Sequence, residues 1–219
     1  MNLYRQTLIL VKQQLSLEWR YKYTAGSVLM HILVAVFITF LSFKVMDRPT
    51  WNSMYWLILI FTTLQGISKS FIGTGRGSYL YYYQLVKPDS FILGKMISNA
   101  ILMMILSLCC LIAYTLLMGN YMQMPGRYII TILLTSTGIS IVYTLISAIA
   151  GKTDNATLLM PILSLPVIIP LILVGIKASK KAMDGIETNS IYTDWAVLLV
   201  LDIAVMWLGV VLFKYLWKD

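Results

Sequence analysis

Six predominantly apolar stretches run through this chain, each long enough to cross a lipid bilayer as a helix. They are Ala25–Phe43, Trp51–Ile67, Met96–Met118, Tyr128–Ala150, Thr157–Ile176 and Trp195–Trp217. The hydrocarbon core of a bilayer is about 30 Å thick and takes about 17–25 helical residues. Lipid offers no hydrogen bonds, so every backbone amide in such a stretch must be satisfied within it, and each is predicted to be a helix. A soluble core could not absorb this much apolar chain. Of 219 residues, 59% are hydrophobic and only 12% charged, against about 45–50% and 25% in soluble domains. The expected fold class is all-α: a polytopic membrane protein with six transmembrane helices.

The formal net charge is +8. In a soluble protein this would point to nucleic acid. Here the basic residues lie between the apolar stretches, where they set topology, and no nucleic-acid partner is expected. With the N-terminus in the cytoplasm, Arg5, Lys12, Arg20, Lys22, Lys69, Arg76, Lys87, Lys95, Lys152, Lys214 and Lys218 fall inside. Lys44, Arg48, Arg127, Lys177, Lys180 and Lys181 fall outside. Eleven cations of the 17 are therefore inside, and both termini are expected to be cytoplasmic. The three lysines after the fifth stretch argue the other way. No cleavable signal peptide is recognisable, so the first stretch reads as a retained span.

Residues 1–24 are too polar to cross. Tyr4, Leu8, Val11, Leu15 and Trp19 recur at helical spacing, while Arg5, Lys12, Ser16 and Arg20 occupy another face. This is the pattern of an amphipathic helix lying in the interface, as a membrane anchor or a partner contact. Only two connections are long: residues 68–95, cytoplasmic in this topology, and Lys177–Asp194 outside. Neither has room for a soluble domain.

Few residues carry catalytic chemistry. Gly151-Lys152-Thr153 resembles the tail of a phosphate-binding loop, but the full motif needs glycine at 146, where Ile146 stands. A short turn capped by Gly151 is expected instead. Gly73-Thr74-Gly75-Arg76-Gly77 is open to two readings, a hinge or a backbone nest for phosphate. Cys109 and Cys110 are adjacent within a span and read as small buried hydrophobes. His31 lies about 9 Å into the first span at 1.5 Å per residue. It reads as a side chain hydrogen-bonded to a neighbouring helix, with haem ligation or proton conduction as the alternative. Asp202 is the clear acid inside a span, about 10 Å from the outer end of the sixth. It is expected to line a pathway or to hydrogen-bond a serine or threonine. No catalytic triad, acidic pair or metal-ligand spacing is present in the sequence. No enzymatic activity and no resident cofactor or metal are expected.

Two spans speak to mechanism. Ser136, Ser140, Thr144 and Ala148 lie four apart, a small-residue stripe that lets helices approach closely. Pro161, Pro166 and Pro170 fall within one span. Each removes a helical hydrogen bond, so a bent or broken segment at a cavity or moving interface is expected.

The cytoplasmic connection contains Ser78-Tyr79-Leu80-Tyr81-Tyr82-Tyr83-Gln84-Leu85-Val86-Lys87-Pro88. Large rigid tyrosines flanked by cations suit a protein contact, or headgroup binding. This run, the following Ile92-Leu93-Gly94-Lys95, and the run Leu163-Ser164-Leu165-Pro166-Val167-Ile168-Ile169-Pro170-Leu171-Ile172 resemble ABC-2 type transporter permeases. Within them the chain is most similar to the CcmB family, the haem-exporter permease of cytochrome c maturation. The resemblance covers residues 1–219 as one membrane domain. It departs where Thr74-Gly75-Arg76 replaces the acidic residues common in that segment.

The resemblance implies a permease subunit with no ATPase activity, in a bacterial inner membrane. A separate cytosolic ABC ATPase would bind the ATP and dock on Arg76, Tyr79, Tyr81, Tyr82, Tyr83, Leu85, Lys87 and Pro88. Haem would be the cargo, with a haem-handling membrane protein and a haem chaperone as further partners. Two copies, or one copy with a related permease, would make the working unit. A permease for lipid, glycan or drug shares the architecture, and a non-transporting membrane scaffold is the alternative of another class.

Overall fold

The computed structural model describes residues 3–21, 23–43, 45–67, 86–151, 153, 156–185 and 190–216. Among them are seven α-helices: α1 (Leu3–Tyr21), α2 (Tyr23–Ser42), α3 (Arg48–Ile67), α4 (Pro88–Met118), α5 (Pro125–Ala150), α6 (Ala156–Asp184) and α7 (Ser190–Leu216). Four are long and apolar enough to cross a membrane: α4, α5, Leu158–Asp184 of α6, and α7. The apolar part of α2, Gly26–Ser42, is shorter. In α3 the polar Arg48, Asn52, Ser53, Thr62, Thr63 and Gln65 dilute the apolar pattern.

Several boundaries differ from expectation. α4 starts at Pro88 rather than Met96, so the last eight residues of the expected 68–95 connection are helical. Proline at the first turn has a preset φ and gives up an amide that would have no partner anyway. The 31 residues of α4 span about 46 Å at 1.5 Å each, more than the lipid requires, so α4 extends beyond the hydrocarbon. The Lys177–Asp194 connection is also largely helix. α6 continues to Asp184 and α7 begins at Ser190. Lysine, alanine and methionine sustain a helix once it leaves the lipid. The protruding ends are tied by Asp194, which pairs with Lys181 and with Lys177 at 3.3 Å.

Helix α5 is the axis of the bundle. In its most apolar stretch 72% of residues are buried, against 33%, 28% and 22% in α4, α6 and α7. It packs against α3, α4, α6 and α7. The small-residue stripe explains this position. Ser136, Ser140, Thr144 and Ala148 are all buried, and short side chains let neighbouring backbones come close. Asn99 of α4 uses that proximity to donate to Thr144 Oγ1 at 2.9 Å.

One end of the bundle is closed by aromatic rings. Trp51, Tyr55, Tyr114 and Tyr128 are each fully buried, with Trp51 4.8 Å from Tyr114 and 5.9 Å from Tyr128 between ring centres. The three tyrosine hydroxyls find partners across helices, while Trp51 Nε1 has none among the described residues. Tyr55 Oη donates to the Ser107 carbonyl and Tyr114 Oη to the Trp51 carbonyl, both at 3.1 Å. Tyr128 Oη donates to Asn52 Oδ1 at 2.9 Å. Ser179 Oγ of α6 accepts from Asn52 Nδ2 and Trp56 Nε1, each at 3.0 Å, and donates to the Ile176 carbonyl at 2.9 Å. That uses the full capacity of a hydroxyl, two acceptor sites and one donor.

Candidate functional site

The docking segment expected from sequence lies mostly outside the described residues. This holds for Arg76, Tyr79, Tyr81, Tyr82, Tyr83 and Leu85, for Gly73–Gly77, and for Lys152. Of the expected docking residues only Lys87, exposed, and Pro88, half-buried, are described. They stand at the start of α4.

What the chain from Pro88 onward leads into is well defined. Asp89 Oδ2 pairs with Lys214 Nζ of α7 at 3.4 Å. Ser90 Oγ donates to Gln6 Oε1 of α1 at 3.2 Å. Phe91 stacks on Phe213 of α7 with ring centres 6.0 Å apart. Phe91, Ile92 and Met96 form one buried cluster with Ile141, Leu145 and Ala148 of α5, and Val86 packs on it. Gly94 lets α1 approach: a Cβ there would stand 3.0 Å from Leu10 Cβ. Lys95, 6% exposed, interacts electrostatically with Glu18 of α1. The first two turns of α4 after Pro88 therefore touch α1, α5 and α7 together.

Helix α1 buries a different apolar line against the bundle from the one its spacing marks most clearly. It packs against α4 at Gly94 through Thr7 and Leu10, Val11 is also buried, and Tyr4 and Leu8 are exposed on the single chain. Arg5, Lys12 and Arg20 are exposed, as expected of the basic face; the side chain of Trp19 is not among those described. The α1 sequence has two apolar lines, and Leu10 is the side chain that meets the bare backbone at Gly94.

Helix α6 is not broken. It runs continuously through Pro161, Pro166 and Pro170. Pro166 and Pro170 are exposed on the single chain and Pro161 is half-buried, so these prolines do not converge on an internal cavity. The turn expected after α5 is present: the Gly151 amide donates to the Ser147 carbonyl at 2.9 Å and the Thr153 amide to Ala150 at 2.9 Å. Gly151 itself is in ordinary right-handed helical geometry.

His31 is half-buried on α2, with no side-chain partner among the described residues. Asp202 is 7% exposed, and its Oδ2 lies 3.3 Å from Thr137 Oγ1 of α5. It sits near the middle of α7, about 18 Å from Ser190 at 1.5 Å per residue, because α7 begins earlier than the predicted span. The structure does not pair His31 with Asp202. Among the described residues no cluster of three metal-ligating side chains occurs.

Sequence reasoning missed Asp89, Ser90, Gln6 and Lys214, the residues that seat the start of α4. Asp89 directly after Pro88 was a visible helix-start signal. Its partner on α7 was not.

Comparison with individually curated proteins gave no match. The family model described as ABC-2 type transporter matches residues 5–183. That range takes in nearly all of α1, all of α2 to α5 and nearly all of α6, including the seat of α4 and the three prolines. The chain belongs to the ABC-2 type transporter family, whose members form the membrane-spanning, non-catalytic part of an ABC transporter.

Proposed function

We propose that this chain is the permease subunit of a haem exporter serving cytochrome c maturation. The observation that carries the haem branch is the run Leu165-Pro166-Val167-Ile168-Ile169-Pro170 in α6, the most specific element of the resemblance to CcmB permeases. A separate cytosolic ATPase binds and hydrolyses ATP. It docks on the segment Arg76–Pro88 and pushes on the start of α4. The consequence outside the membrane is haem delivery to a chaperone, or release of the loaded chaperone, together with a haem-handling membrane protein. Haem is cargo in this reading, and the chain holds no resident cofactor.

The working topology has six spans in a bacterial inner membrane, both termini cytoplasmic and α1 in the interface. The outward-facing apolar side chains of α2, among them Met30, Val34, Phe37 and Leu41, support lipid contact for that helix. At 20 residues each, α2 and α3 reach about 30 Å, the thickness of the hydrocarbon. Six spans are half of a typical ABC transporter, so two copies, or one with a related permease, make the unit.

Haem staining of c-type cytochromes in cells lacking this gene tests the cargo. Covalent haem is expected to disappear and to return on complementation. Intact cytochromes would exclude the haem branch and leave an ABC-2 permease for lipid, glycan or drug. Docking has a separate test: changing Tyr81, Tyr82 and Tyr83 to serine should release the ATPase from the membrane while the permease stays inserted. Unchanged co-purification would remove the docking role from these tyrosines.

A further inference from the structure

Asp202 is buried where α5, α6 and α7 meet, with little around its carboxyl to stabilise a charge. Oδ1 faces Gly138 and has no hydrogen-bond partner among the described residues. Leu171 of α6 packs against the same glycine position. Oδ2 has one neighbour, Thr137 Oγ1, at 3.3 Å. Thr137 has a single hydroxyl hydrogen, for which the Leu134 carbonyl at 2.6 Å is the nearer acceptor and Asp202 Oδ2 at 3.3 Å the farther one. While that hydrogen is on the Leu134 carbonyl, Thr137 Oγ1 is open as an acceptor, and a protonated carboxyl then supplies the hydrogen between the two side chains.

Among the described residues no charged group on the neighbouring helices pairs with Asp202. On α6, Lys177 and Lys181 pair with Asp194, and Lys180 and Asp184 line a pocket at the far end of that helix. On α4, Asp89 pairs with Lys214 of α7, and Lys95 interacts with Glu18. On α5, Arg127 lies ten residues before Thr137, about 15 Å along the helix. The hydroxyls of Tyr114 and Tyr128 are taken up in the aromatic cluster, and the Tyr143 side chain interacts with Ser164 of α6. Cys109 and Cys110 are free thiols on α4, and neither bonds to Asp202.

We propose that Asp202 is a proton-binding site of the permease. While α5 and α7 are packed, the carboxyl carries its hydrogen on Oδ2 and donates it to Thr137 Oγ1. When α7 separates from α5 and water reaches the site, the O–H bond breaks. The electron pair stays on the carboxylate and the proton passes to water. Proton release is thus tied to the parting of these two helices, whatever the cargo.

The test is infrared spectroscopy of the full-length permease in lipid nanodiscs at neutral pH, with ¹³C-carboxyl aspartate incorporated into the wild-type chain. A carbonyl band of a protonated carboxylic acid that shifts with the label is expected. The band should be missing in Asp202→Asn. In Thr137→Val it should move to higher wavenumber, because the acceptor of the acid's hydrogen is gone. A label-sensitive acid band that is absent from the wild type, or that persists in Asp202→Asn, would overturn the proposal. A band unmoved in Thr137→Val would overturn the assignment of Thr137 as acceptor. The labelled wild-type measurement needs no variant, so a poorly folding substitution does not remove the test.

Discussion

At the scale of single residues, small side chains at helix crossings matter as much as large ones in the core. A Cβ at Gly138 would collide with the Asp202 carboxyl and stand 2.9 Å from Leu171 Cδ2. A Cβ at Gly175 would stand 2.7 Å from the Thr135 side chain. Overpacking of this kind costs about 1–3 kcal/mol. Gly138→Ala should therefore lower the melting temperature of the detergent-purified chain, while Gly126→Ala, which meets nothing within 4 Å, should leave it in place. Equal melting of both variants would contradict the packing of α5 on α7. Asn52 offers a second residue-level test. Its amide serves both Tyr128 and Ser179, whereas Tyr128→Phe removes one bond of that pair. Single interhelical hydrogen bonds inside membrane proteins average about 0.6 kcal/mol, but a buried polar group left without a partner costs about 1–3 kcal/mol. Asn52→Leu strands the Tyr128 hydroxyl and takes one of three hydrogen bonds from Ser179, whereas Tyr128→Phe strands only Asn52 Oδ1. The asparagine variant should be the less stable of the two in thermal melting; the reverse order would mean that another group rescues Tyr128 and Ser179.

Elements are held to one another by a few side chains near their ends. The α6 and α7 ends share Asp194, which Lys181 approaches from a mostly buried position and Lys177 from an exposed one, with side chains 17% and 64% exposed. Exposed pairs are worth about 0–1 kcal/mol, because water and salt screen them. Lys181→Met should therefore destabilise the α6–α7 contact clearly more than Lys177→Met. Hydrogen exchange of the first turn of α7 would report it, and equal exchange in the two variants would contradict this account. At the opposite end, α1 is seated on α4 at Gly94. Gly94→Val would press its side chain into Leu10 and the Thr7 carbonyl. Faster tryptic cleavage at Arg5 and Lys12 is expected as α1 loosens. Unchanged cleavage would mean that Gln6, Glu18 and their partners hold α1 without close backbone approach.

At the scale of the whole molecule, α5 organises the bundle, α2, α6 and α7 present apolar side chains outward, and the start of α4 couples α1, α5 and α7. This arrangement suits a subunit that receives force at one surface and passes it through packed helices. The topology assigned to it is testable with reporter fusions at residue 219. A fluorescent protein there should glow and alkaline phosphatase should be inactive if the C-terminus is cytoplasmic. Active phosphatase with a dark fluorescent protein would reverse the assigned orientation and put the tyrosine segment outside, where no ATPase could reach it.

Much of this molecule is legible in its sequence because lipid imposes a one-dimensional rule. A segment that enters hydrocarbon must be apolar and must satisfy its own backbone, so the long helices α4 to α7 are visible as apolar runs, and α5 is marked as central by its small-residue stripe. Local chemistry likewise shows the turn after α5, whereas Pro88, which reads as the end of the tyrosine segment, opens α4 instead. The ends of α4, α6 and α7 are not visible this way. Outside the lipid the hydropathy rule lapses, and ion pairs such as Lys181–Asp194 decide how far a helix continues. Which apolar line of α1 is buried shows only where Leu10 meets the bare backbone at Gly94. Asp202 was recognisable as an intramembrane acid, but its partners Thr137 and Gly138 are brought to it by the crossing of α5 and α7. The link from Asn52 to Ser179 depends in the same way on the packing of α3 against α6. Contacts between helices far apart in sequence depend on shape and on the direction of hydrogen bonds, and only the tertiary structure brings those together.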